Sequence, residues 1–140
     1  MKKIAKTFML VSLAMIMCLT SVPIYASEAE NGISPRLTHT NGASFAFDAT
    51  SSVGYIAATY TAVDTTFVSA KLTVTVEKRF LWAFWNEVGT WTSTSTEVLG
   101  DFYHEMSLNG SGTYRATFVL EVTGTDGTVD VIDSVIENKT

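Results

Sequence analysis

Tyr114-Arg115-Ala116-Thr117-Phe118-Val119-Leu120-Glu121-Val122-Thr123 is the stretch whose reading decides the fold. Tyr114, Ala116, Phe118, Leu120 and Val122 occupy every second position, against Arg115, Thr117, Val119, Glu121 and Thr123. A strand sends successive side chains to opposite faces, so this period of two predicts a half-buried β-strand. The same period recurs upstream. Phe45 and Phe47 alternate with Ser44, Ala46 and Asp48; Ile56, Ala58 and Tyr60 share a face; Leu72, Val74 and Val76 oppose Lys71, Thr73, Thr75 and Glu77. Phe102, His104, Met106 and Leu108 oppose Asp101, Tyr103, Glu105 and Ser107. Downstream, Asp126-Gly127 supplies the positive backbone dihedrals of a tight turn, and residues 128–136 read as a last strand. Its parity slips, with Val129, Val131 and Val135 on one side and Ile132 and Ile136 on the other. A bulge, or burial of both faces, accounts for the slip. Beyond the first 26 residues no run of a dozen residues shows helical spacing.

Seven short strands separated by turn signals predict an all-β domain, an antiparallel Greek-key β-sandwich rather than a closed barrel. Leu108-Asn109-Gly110-Ser111-Gly112-Thr113-Tyr114 puts a tyrosine just after a Gly-rich crossover. Such a tyrosine is either a corner, its phenol bonded back to the crossover backbone while Leu108 plugs the core, or one more inward aromatic. The pattern of residues 71–79, then Trp85-Asn86-Glu87-Val88-Gly89-Thr90-Trp91, then Gly112-Thr113-Tyr114 resembles short secreted immunoglobulin-like proteins of Gram-positive bacteria. The resemblance covers residues 43–137. It implies an immunoglobulin or fibronectin type III-like sandwich behind a signal peptide, and it carries over no catalytic residue. The chain departs from the pattern at the loop between the central strands, polar in those proteins and Phe80-Leu81-Trp82-Ala83-Phe84 here.

Residues 1–26 read as a helical secretory signal peptide: Lys2, Lys3 and Lys6, an apolar run from Phe8 to Leu19, and a cleavage site ending at Ala26. The apolar run is shorter than the roughly 20 residues a membrane span needs. Residues 27–42 are polar and contain Pro35, which predicts a flexible N-terminal arm, and residues 43–138 form the sandwich domain. Cleavage after Ala26 would leave six basic and fourteen acidic residues, a charge of −8. No basic surface is then available for nucleic acid or for an anionic membrane as a general electrostatic partner, and membrane contact is not the favoured reading. The only cysteine, Cys18, lies in the leader beside Met17, where a lipidation signal requires a small residue. The domain therefore has no disulfide, thiolate metal site or cysteine nucleophile. A bacterial leader also makes glycosylation at Asn109 and Asn138 unexpected, although both match the sequon.

No catalytic, cofactor-binding or metal-binding set emerges. Asp126, Asp130 and Asp133 lack the spacing of a calcium loop, and Asp126 is explained by its turn. Two of Glu87, Glu97 and Glu105 could be imagined as a glycosidase pair, but a domain of this size has little room for the cleft such a pair requires. His39 falls in or beside the arm; His104, between Phe102 and Met106 on the apolar side, reads as a partly buried, hydrogen-bonded histidine. Two distant histidines without cysteines do not make a zinc site. The partner-binding candidates are Phe80, Leu81, Trp82, Phe84 and Trp85, five large apolar side chains within six positions between two strands. A hairpin tip cannot turn all of them inward, and leaving aromatics wet is costly without a partner. Alternatively, the strands run on through this region and Trp85 and Trp91 cover an open end of the core. The reading is a secreted, extracellular, non-enzymatic module that presents this hairpin to a protein or glycan. The alternative is a membrane-active, bacteriocin-like protein whose tip enters lipid.

Overall fold

The computed structural model describes residues 37–140, so the expected signal peptide and most of the expected N-terminal arm lie outside the described residues. Seven strands follow: β1 (Thr40–Ala49), β2 (Val53–Ala62), β3 (Phe67–Phe80), β4 (Phe84–Ser95), β5 (Leu99–Ser107), β6 (Thr113–Gly124) and β7 (Val129–Lys139). All neighbours are antiparallel. One sheet has the order β1-β2-β5 and the other β4-β3-β6-β7, so the chain crosses between sheets at β2–β3, β4–β5 and β5–β6.

The alternation seen in the sequence is the alternation of burial. Leu72, Val74 and Val76 on β3 and Tyr114, Ala116, Phe118, Leu120 and Val122 on β6 are fully buried. They face Phe47, Ile56, Ala58, Tyr60 and Phe102 of the other sheet across one shared core. Each fully buried large apolar side chain stabilises the fold by about 1.5–3 kcal/mol, which lets a sandwich stand without crosslinks. Phe45 packs on Phe118 at 5.1 Å between ring centroids, joining the two layers.

Tyr114 is a corner in the geometrical sense. Its ring is buried and its hydroxyl donates to the Gly110 carbonyl at 2.6 Å. Gly110 holds φ at 75°, a left-handed conformation in which glycine carries no side-chain penalty. Leu108, also buried, closes the core beneath the crossover.

Three expectations change. First, β1 starts at Thr40 instead of residue 43, and His39 belongs to the core at 1% exposure rather than to an arm. Its Nδ1 lies 3.0 Å from Thr66 Oγ1 and its Nε2 lies 2.7 Å from Thr128 Oγ1, so both ring nitrogens are satisfied. Second, β7 has neither a bulge nor two buried faces. Its register with β6 is regular, and Val129, Val131 and Val135 point to solvent. The inward positions are Asp130, Ile132, Ser134, Ile136 and Asn138, and it is the polar residues among them that disguise the period. Buried Asp130 accepts the backbone N–H groups of Thr38 (3.1 Å) and His39 (2.7 Å). Asn138 donates to Asp48 Oδ1 at 3.0 Å, so β7 is tied to the β1 side near both of its ends. Third, half-buried His104 is held by stacking on Trp91, 4.7 Å away and 3° from parallel, and not by the expected hydrogen bond. That stack joins β5 to β4 on the opposite side of the sandwich.

Candidate functional site

The register of β3 determines the shape of the candidate site. Its pairing with β6 ends at Lys78↔Tyr114, whereas its pairing with β4 runs on to Phe80↔Phe84. The hairpin therefore overhangs the sheet, and its last rungs rest only on each other. At the tip Phe80 is 55% exposed, Leu81 64%, Trp82 86% and Phe84 64%. Four large apolar side chains thus share one short projection, while Val68, Leu99, Tyr103 and the row Val129, Val131 and Val135 on β7 are exposed elsewhere.

Leu81 adds a second signature. It holds φ at +50°, the only non-glycine residue with positive φ among the described residues. Leucine has no local hydrogen bond to offset that conformation, which costs about 1–2 kcal/mol relative to the right-handed region. Glycine or asparagine would remove the strain. A strained leucine whose side chain points into solvent contributes little to the fold, so its side chain is the feature that a tip role explains.

Trp85 takes a different role from its neighbours. The register of β3 against β4 shifts between Val76 and Glu77, leaving Val88 as an extra residue on β4. Up to that bulge Gly89, Trp91 and Ser93 lie opposite Val76, Val74 and Leu72 on the core side. Past it the parity reverses, and Trp85 lies opposite Arg79 on the outer face. A bulge re-aims side chains in this way. The reading in which Trp85 and Trp91 together cover a core end is thus overturned: Trp91 packs on the core, while Trp85 does not join it. The Arg115 guanidinium lies 4.3 Å and that of Arg79 5.1 Å from the Trp85 ring centroid. Arg115 Nε also donates to Glu77 Oε2 at 2.5 Å, a bond that raises the Arg115 pKa above its ordinary value. Trp85 is therefore a half-buried strut at the hairpin base, and the exposed group is Phe80, Leu81, Trp82 and Phe84.

On the inner side of the same base, Lys78 Nζ lies 5.3 Å from the Tyr114 ring centroid and donates to the Asn109 carbonyl. The tip, the Gly-rich crossover and the end of β7, where Lys139 lies opposite Thr113, share one pole of the sandwich.

The other candidates do not converge. Asp126 accepts from the N–H and hydroxyl of Thr128, which hold its carboxyl below the usual carboxylate range. Asp130 is buried and Asp133 faces solvent. Glu87 accepts from Thr90 at 3.0 Å and Glu105 from Tyr103 at 2.7 Å, while Glu97 sits in the connection at the opposite pole. Sequence reasoning missed Arg79 and Arg115 as supports of Trp85. Only the strand register brings position 115 beside position 77, and no local pattern encodes it. Neither the models of known protein families nor the curated proteins include a match to this chain.

Proposed function

We propose that this is a secreted, non-enzymatic attachment module of the immunoglobulin-like, fibronectin type III-like kind, which docks on an extracellular surface through the tip of its β3–β4 hairpin. The strand orders β1-β2-β5 and β4-β3-β6-β7, together with the Tyr114–Gly110 corner, support the immunoglobulin-like type. The leader-like first 26 residues support secretion. Candidate carboxylates that are scattered rather than paired across a cleft support binding over catalysis.

One observation carries the reading. Four large apolar side chains stand exposed on a projection that contributes nothing to the core. Surface of this kind is covered by a partner when the protein works. The test is retention of labelled protein, starting at residue 27, on bacterial and animal cells and on a glycan array. Trp82→Ala and Phe84→Ala are expected to abolish retention with an unchanged urea unfolding curve. Retention that both variants preserve would remove the hairpin from the function.

A further inference from the structure

Charge is not spread evenly over this molecule. The described residues hold five cationic side chains, and four of them, Lys78, Arg79, Arg115 and Lys139, lie in the half that carries the hairpin tip. The fifth, Lys71, is in the far half, paired with Glu121 at 3.2 Å. That far half also holds Asp64, Glu97, Asp101, Asp126, Asp130 and Asp133. The hairpin half has Asp48, Glu77, Glu87, Glu105 and Glu137 as its acids, and Glu77 is already bonded to Arg115. The far half is therefore strongly acidic and the tip half close to neutral, with the cations flanking the overhang.

Resting on the reading that the tip is the docking element, we infer that its occupant is the headgroup–acyl boundary of a bilayer containing anionic lipid. Phe80, Leu81, Trp82 and Phe84 enter that boundary, and Arg79 and Lys139 beside it face the phosphates. Shape is the first argument. Beyond Lys78 the hairpin is paired only between β3 and β4, so it stands out past the sheet as a narrow projection. A fluid interface is the partner that conforms to such a tip. Depth is the second argument. Two rungs and a turn beyond Lys78 rise about 7–10 Å at roughly 3.3 Å per residue. An interfacial apolar element sinks about 5–10 Å. Composition is the third: Trp, Phe and Leu with basic neighbours is the chemistry that interfaces take up.

The net acidity of the chain does not oppose this. From Arg79 to the start of β3 at Phe67 is roughly 40 Å of strand. Charges that far from a membrane are screened over about 8 Å at physiological salt. The acidic pole is thus silent at the surface and serves only to turn the molecule tip-first as it approaches.

The chain contains three tryptophans, at 82, 85 and 91, and none in the leader. A Trp85→Phe/Trp91→Phe variant makes Trp82 the sole reporter, in the full chain and in the chain starting at residue 27. On mixing with phosphatidylcholine vesicles that contain phosphatidylglycerol, Trp82 emission should shift to the blue and be quenched by bromine placed high on the acyl chains. Co-sedimentation of the otherwise unmodified protein should fall about tenfold in each of Trp82→Ala and Phe84→Ala. It should fall about fivefold per charge in Arg79→Gln and Lys139→Gln, and should weaken with added salt. Absence of any shift or sedimentation with either lipid overturns the lipid assignment, and equal binding with and without phosphatidylglycerol overturns the role of the cations. If vesicles fail while cells still retain the protein through Trp82, the partner is a protein or glycan and the docking reading stands. If both fail, both readings fall together.

Discussion

At the scale of single residues, the fold is held by a few hydrogen bonds at fixed points. The Tyr114 hydroxyl reaches the Gly110 carbonyl from a fully buried ring, so Tyr114→Phe removes that bond and little else. The change should cost about 1–2 kcal/mol, read as a lower urea midpoint at unchanged m-value. Asp126 gives the molecule an acid-sensitive turn. Its carboxylate is favoured in the folded state by the N–H and hydroxyl of Thr128, so its folded pKa lies below the unfolded value of 3.8. A depressed carboxyl contributes stability above its unfolded pKa and loses it as pH falls through the folded pKa. Asp126→Asn should therefore be less stable than the parent at pH 6, and the two unfolding curves should converge at the acid end of a titration from pH 5 downward.

At the scale of elements, the hairpin separates side chains that fold the protein from those that do not. Leu81→Gly relieves the positive φ and removes an exposed side chain, and is expected to stabilise by about 0.5–1 kcal/mol. A thermal scan that shows a loss instead would mean the leucine packs on something. Trp82→Ala should leave stability within about 0.5 kcal/mol, as surface changes do, while Phe118→Ala in the core should cost about 3–5 kcal/mol. Urea curves for the pair give that contrast directly. Most strands were legible in the sequence, because β2, β3, β5 and β6 keep apolar residues at every second position. The inward face of β7 was not. Asp130 occupies an inward position, and only the N–H groups of Thr38 and His39, some ninety residues away, explain a carboxylate there. The place of Trp85 was equally hidden. Its facing depends on the extra residue at Val88, which flips the parity of β4, and the flip cannot be read from a strand whose core-side positions Gly89 and Ser93 carry no large apolar side chain. The apolar cluster at residues 80–85 stood out because it breaks the period on either side, but the strands run on through it, as the alternative reading has it, with Phe80 ending β3 and Phe84 opening β4.

At the scale of the whole molecule, two sheets are joined by a shared core and by ties along both sides. On one side Asp130 of β7 receives the chain entering β1, and Asn138 receives its exit. On the other, Trp91 stacks on His104. Asp130→Ala leaves the buried His39 N–H without its acceptor and should cost about 1–3 kcal/mol, with faster amide exchange along β1 and β7 than along β3 and β6. The overhang past Lys78 has a consequence of a different kind. Rungs supported by one neighbour open and close without disturbing the layers behind them, so what is written there is nearly free of the demands of folding. Such a segment can be rewritten residue by residue while the scaffold stays the same. On the docking proposal, its present lettering, a greasy crest with a leucine in an awkward posture, answers to what the molecule meets outside itself and not to how it holds together.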